Sequence, residues 1–234
     1  MLMRTPTQVQ LSEGIGVKSR RAEQILPIGS PDTLNGALDL MGASMPFSRN
    51  MEIYGEGETA EYLYKVIRGA VRTHKLLNDG RRQIGGFYLS GDVFGMEVDD
   101  VHRLSAEAIC DSRILVVKRS GLVALAARQS DVARELWAMT ARELGNLQNL
   151  MLTLGRKTAQ ERLAAFLLEM AARNCGGDAV DLPMSRQDIA DYLGLTIETV
   201  SRTLTQLENA SAIALPSSRR IVLRDRAALN RLNS

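Results

Sequence analysis

The chain has 234 residues, 29 basic and 27 acidic side chains, 45% hydrophobic residues and two cysteines. That apolar fraction supports one large or two small packed domains and excludes wholesale disorder. Two thiols, Cys110 and Cys175, exclude a disulfide framework and a four-thiolate metal site, and a net charge of +2 leaves no bulk signature of a nucleic-acid binder.

The N-terminus, MLMRTPTQVQ, lacks an apolar core of signal-peptide length, so a cytoplasmic location is expected rather than secretion. No apolar run reaches the ~18 residues that a membrane-spanning helix needs, so no membrane partner is expected. Residues 1–35 are rich in Ser, Thr, Gln, Gly and Pro, with one basic cluster at Lys18-Ser19-Arg20-Arg21. They are expected to form a weakly ordered arm with a single helical turn near Glu23–Leu26.

Residues 36–119 change character. From about residue 47, short apolar runs alternate with Gly-bearing turns. The runs are Met51–Tyr54, Tyr62–Ile67, Ala70–Leu77, Gln83–Tyr88, Asp92–Met96, Ser105–Ile109 and Arg113–Lys118. Asn78-Asp79-Gly80 is a hairpin signal, because Gly accepts the positive φ of a tight turn. Strands at this spacing predict a compact all-β unit. Cys110 is expected in a strand core.

Residues 120–155 become helical. A short helix is predicted to Arg128, and Ser130 offers an N-cap for a long one. Leu136, Thr140, Glu143, Leu147, Leu150 and Leu154 alternate at spacings of four and three, which is a heptad seam suited to a dimer interface. Trp137, Leu144 and Met151 form an adjacent stripe. A helix with two apolar stripes can pack one on its own domain and one on a partner.

Residues 156–234 open with a break at Gly155 and a capping box, Thr158-Ala-Gln-Glu161. A helix follows with Leu163, Phe166, Leu167 and Met170 on one face. The decisive stretch is MSRQDIADYLGLTIETVSRTLTQLEN, residues 184–209. Ser185 caps a short helix, Gly194 gives a left-handed exit, and Thr196 caps a second helix that buries Val200, Leu204 and Leu207. Two short helices joined this way are a helix-turn-helix. Ile197, Glu198, Ser201 and Arg202 fall together near the start of the second helix, where such a helix meets base edges. Arg202 suits O6 and N7 of guanine, and Glu198 suits N4 of cytosine. Ser185, Arg186, Gln187, Thr196 and Thr199 suit phosphates, which position without reading sequence. Ile213–Pro216 and Ile221–Arg224 form a wing, with Ser218 and Arg219 near its tip and also expected on phosphate. These residues hold 11 basic and 9 acidic side chains, so affinity must rest on where the charges sit.

With these motifs the chain resembles the Crp/Fnr family of transcription regulators. GETAEYLYKVIRGAVR (57–72) and LSGDVFGME (89–97) are similar to the family's sensor domain. LPMSRQDIADYLGLTIETVSRTLTQLE (182–208) is similar to its winged DNA-binding domain, and Glu198-x-x-Ser201-Arg202 matches the Fnr branch. The wording IADYLGLTIETVSR, without an N-terminal cysteine cluster, is nearest the FixK group of rhizobia. The resemblance implies an α+β fold. Its parts are an N-terminal β-roll resembling cyclic-nucleotide-binding jelly rolls, a long dimerisation helix and a C-terminal winged helix-turn-helix. It also implies a homodimer on a TTGA-type palindrome, an activator that contacts RNA polymerase, and control of microaerobic respiration or nitrogen-fixation genes.

Departures from the family narrow the reading. The first cysteine is Cys110, so an iron–sulfur oxygen sensor is not supported. Cyclic-AMP binders keep Gly-Glu-Leu and Arg-Ser segments. Here Gly95-Met96-Glu97 and Arg103-Leu104-Ser105 are each shifted by a residue, and in a strand such a shift turns a side chain to the other face. No cofactor is therefore expected. Ile197 suits a thymine methyl and cannot read guanine, in keeping with a TTGA-type site. A regulator gated by a small effector in the β-roll is the alternative. An enzyme is not expected: His74 and His102 sit in no ligand or triad pattern and read as surface imidazoles. Cys175, in a Gly-rich loop, is a candidate for oxidation.

Overall fold

The computed structural model describes residues 33–97, 99–174 and 177–233. The expected arm and its turn near Glu23–Leu26 lie outside them, apart from residues 33–35. These three open a helix rather than end a tail. Thr33 Oγ1 accepts from the Gly36 N–H and caps α1 (Leu34–Met41), which buries Leu34 and Leu38.

Eight strands follow: β1 (Ala43–Phe47), β2 (Glu52–Tyr54), β3 (Tyr62–Arg68), β4 (Ala70–Leu76), β5 (Arg82–Leu89), β6 (Val93–Phe94), β7 (Ser105–Ala108) and β8 (Ser112–Lys118). Strands β2 to β8 overlap the seven apolar runs. They pair antiparallel in two sheets, ordered β1-β8-β3-β6 and β2-β7-β4-β5. Asn78-Asp79-Gly80 makes the β4–β5 turn, with Gly80 at φ +83°. The Leu77 N–H donates to the Arg81 carbonyl at 2.8 Å across it.

The sheets face each other as a roll. Its interior draws Phe47, Tyr64, Val66, Phe94 and Ile114 from one sheet and Tyr54, Val71, Ala106 and Ala108 from the other. His102 belongs to this interior. It is 1% exposed and stacks on Tyr54 with ring centroids 3.6 Å apart. The surface position expected for it is therefore wrong. Burial lowers its pKa below the usual histidine value, against the opposing pull of Glu97. Cys110 is also displaced from expectation. It is half-buried in the turn between β7 and β8, not within a strand.

Helix α2 (Arg119–Ala126) leads to α3 (Ser130–Arg156). Ser130 is the first helical residue and not the cap; Gln129 precedes it and makes no side-chain cap bond. Gly155 stays helical. The two apolar stripes of α3 separate as their geometry allows. Val132, Leu136 and Met139 pack on α1, β8 and α2. Glu143 accepts from the Tyr88 hydroxyl at 3.2 Å. Leu150 is half-buried. Leu136 and Glu143 thus make contacts within their own chain, which takes two of the six expected seam positions into the fold. Trp137, Thr140, Leu144, Leu147 and Met151 remain exposed, with Leu154 half-buried at their end.

The C-terminal part comprises α4 (Ala159–Arg173), β9 (Ala179–Asp181), α5 (Arg186–Leu193), α6 (Ile197–Asn209), β10 (Ile213–Ala214), β11 (Arg220–Leu223) and α7 (Arg226–Asn233). Both members of the Thr158–Glu161 capping box are in place on α4. The wing has three strands, ordered β10-β11-β9, one more than the hairpin expected. Leu163, Phe166, Leu167 and Met170 of α4 pack with Val200, Leu204 and Leu207 of α6. Ala70, Ile84 and Phe87 from the outer face of the second sheet join the same core.

Candidate nucleic-acid interface

Helix α5 begins with a reciprocal cap. Ser185 Oγ accepts from the Asp188 N–H at 3.1 Å, and Asp188 Oδ2 accepts from the Ser185 N–H at 2.9 Å. The Ser185 hydroxyl also donates to that carboxylate at 2.7 Å, so the side chain is committed to the helix rather than directed outward. Gly194 ends α5 at φ +62°, a conformation that side chains resist. Thr196 Oγ1 then accepts from the Thr199 N–H and caps α6. The turn therefore follows from three local choices: a cap, a glycine and a second cap.

Helix α6 is strongly two-faced. Val200, Thr203, Leu204 and Leu207 are buried. Ile197, Glu198 and Arg202 are exposed, and Ser201 is half-buried. Among the described residues Arg202 pairs with no acidic side chain, so its five donors are presented outward. Glu198, one turn away at i−4, forms no ion pair with Arg202 among the described residues. Instead Glu198 is held below the usual carboxylate pKa by bonds to its own backbone N–H and to the Thr196 side chain, which keeps it a hydrogen-bond acceptor. Arg186 reaches across from α5, its Nη1 3.4 Å from Ser201 Oγ. This contact joins the start of α5 to the presented face of α6.

The remaining expected phosphate ligands differ in their commitments. Gln187 Nε2 donates to Asp191 Oδ1 at 2.7 Å along its own helix. Thr199 Oγ1 lies 3.2 Å from Thr196 Oγ1. Ser218 and Arg219 are exposed at the wing tip, where Ser217 Oγ accepts from the N–H groups of Arg219 and Arg220. Cys175 lies outside the described residues. A cavity of about 820 Å³ sits between β5, α3 and α4, lined by Tyr88, Asp92, Arg142, Glu143, Arg173 and Tyr192 among others.

Comparison with known proteins decides what carries this interface. Residues 161–232 match the Crp-like helix-turn-helix domain, and residues 45–129 match the cyclic nucleotide-binding domain. The nitrogen fixation regulation protein FixK of Azorhizobium caulinodans is 53% identical over 199 residues, covering 83% of this chain and 80% of that protein. The chain belongs to the Crp/Fnr family of transcription regulators. FixK of Rhizobium meliloti is 44% identical over 181 residues, covering 77% of this chain and 82% of that protein. The solved structure of FixK2 from Bradyrhizobium japonicum superposes with a TM-score of 0.79 at 54% identity, covering 82% of this chain and 98% of that one. The molecule is thus a DNA-binding regulator of the FixK and Fnr type, with the winged helix-turn-helix as its DNA-binding part.

The roll of this Crp/Fnr member does not fit a cyclic nucleotide. A buried phosphate needs a cation facing it. Arg103, the arginine of the shifted Arg103-Leu104-Ser105 segment, keeps 74% of its side chain exposed and pairs with Asp99 on the surface. Arg72, which is buried, is already bound to Glu107 and Asp188. Tyr54, Tyr64, Phe94 and His102 fill the interior by ring contacts. Glu97 Oε1 lies 3.6 Å from His102 Nδ1, turned to that cluster.

Sequence reading missed the contact between Arg72, Arg82 and the start of α5. Its partners are separated by more than a hundred residues, and periodicity is silent at that range.

Proposed function

We propose that this regulator binds, as a homodimer, a palindrome of TTGA-type half-sites and activates transcription through RNA polymerase. The observation that carries the reading is the outward face of α6. Arg202 stands exposed and, among the described residues, without an acidic partner, beside an acceptor, Glu198, and an apolar group, Ile197. Arg202 reads guanine, Glu198 accepts from the cytosine amine, and Ile197 packs on a thymine methyl. Ser201 completes the set. Arg186, Thr196, Ser218 and Arg219 position the helix on phosphates, with Ser185, Gln187 and Thr199 supporting them near the caps.

The dimer forms along Trp137, Thr140, Leu144, Leu147, Met151 and Leu154 of α3. Trp137 is 76% exposed and Met151 is 64% exposed. A contiguous apolar stripe of this kind on a soluble helix marks an interaction surface. Two-fold symmetry then sets two recognition helices about one DNA turn apart. By likeness to the FixK proteins, the targets are nitrogen-fixation or microaerobic respiration genes, and the protein acts in the cytoplasm without a small cofactor.

The test is a binding titration of the purified protein, without added ligand, against a TTGA palindrome and a G·C-swapped control. Specific binding supports the reading; equal binding to both removes it. The cavity beside Tyr88 and Glu143 favours a second reading, a regulator gated by a small effector. Specific binding by the effector-free protein excludes that gate.

A further inference from the structure

One carboxylate joins the two halves of the molecule. Asp188 is 3% exposed, and its Oδ2 closes the cap of α5. Its Oδ1 receives two arginines from the second sheet: Arg72 Nη1 at 2.9 Å and Arg82 Nη2 at 2.7 Å. Arg72 Nη2 also meets Glu107 at 2.9 Å, and Arg82 meets Asp191 at 2.8 Å. Buried charges of this kind persist only when paired in good geometry, and removing one partner leaves the other stranded. Phe87 of β5 and Tyr192 of α5 add an aromatic contact between the same two elements, their ring centroids 5.1 Å apart. The far end of α5 is held as well. Arg162 donates to the carbonyls of Leu154, Lys157 and Leu193, tying the ends of α3 and α5 together.

We propose that Arg72 and Arg82 are positioning residues for operator binding. They fix α5, and with it α6, at one orientation to the roll and to the α3 seam. Lys157 and Thr158 connect α3 to α4, and the Arg72 and Arg82 ion pairs add a second tie between the head and the roll. Both heads of a dimer must meet their half-sites at a fixed separation. The ion pairs supply that separation without touching DNA. The inference rests on the dimeric reading proposed above.

The experiment uses the full chain with Arg72→Met and Arg82→Gln, and Lys75→Gln as a control. Lys75 is an exposed neighbour on β4 that pairs only with Glu56 among the described residues. Three duplexes are titrated: a palindrome, the same palindrome with its spacer lengthened by a base pair, and a single half-site. If each head holds the right orientation about a tenth of the time, both are right together about a hundredth of the time, and operator affinity falls about a hundredfold. Both arginine variants should show that loss on the palindrome and bind the half-site like wild type. They should also discriminate less between the two spacers, with an unchanged salt slope, because phosphate contacts are intact. Control and wild type should agree. Hydrogen exchange of the α5 amides Ile189–Leu193 is read without DNA, and it should quicken in the arginine variants alone. Equal exchange in wild type and variants overturns the latch whatever the operator shows. Tighter palindrome binding, or unchanged spacing discrimination, overturns the positioning role. Failure of wild type to prefer the palindrome, with α5 still loosened in the variants, removes the dimeric reading and the positioning role together but not the latch.

Discussion

Leu144→Ala separates the two apolar faces of α3. Leu144 is 58% exposed and lies on the stripe assigned to the partner. Fully burying a leucine side chain is worth about 1.5–3 kcal/mol. Rather more than half of that remains to be gained on dimerisation, and alanine retains part of it. The net loss is about 1 kcal/mol per copy by the same scale. A two-fold interface counts each substitution twice, giving about 2 kcal/mol, or about thirtyfold in the dimer constant. Sedimentation equilibrium over a concentration series reads this directly. Because Leu144 contributes little to its own chain's core, the melting temperature at fixed monomer state should hardly move. Leu136→Ala, one face over, should do the reverse. It should cost stability, since Leu136 packs with Leu38, Val117 and Leu122, and it should leave the association constant in place. An unchanged dimer constant for Leu144→Ala, or a loss confined to Leu136→Ala, would refute the division of the stripes.

Three further perturbations test the local chemistry. Thr158→Ala removes the α4 capping box and should cost about 1 kcal/mol in urea unfolding. Ser185→Asp sets a second carboxylate against Asp188 Oδ2, which now receives the Ser185 hydroxyl; operator affinity at fixed salt should fall through repulsion of phosphate, and equal affinity contradicts the docking. The third concerns His102, whose pKa is lowered in the folded state by burial. The unfolded chain binds the proton more readily, so this stabilisation is complete above the unfolded value near ~6.5 and is lost as pH falls through it. Unfolding at pH 7.5 and 5.5 should show a smaller acid loss for His102→Phe than for wild type.

What the sequence made legible was local. Asn78-Asp79-Gly80, the Thr158 box and the Ser185, Gly194 and Thr196 punctuation each specify a backbone conformation within a few residues, and each appears where expected. Strand β1 escaped notice because Pro46 and four exposed positions erase its alternation. The burial of His102 was hidden among Asp99, Asp100 and Arg103, since Tyr54 and Tyr64 reach it from strands far away in the chain. The α3 register was ambiguous in principle: two stripes lie side by side, and only contacts with α1, α2 and β8 decide which one is taken. The Arg72–Asp188 pair spans 116 positions and leaves no local trace.

The central claim is that Arg202 reads the guanine of a TTGA half-site. The most direct measurement is operator affinity of wild type and Arg202→Ala on the palindrome and on its G·C-substituted form. Wild type should prefer the native palindrome, and the variant should lose about 1–3 kcal/mol of discrimination at that base pair. A variant that keeps full affinity and full discrimination would contradict the account.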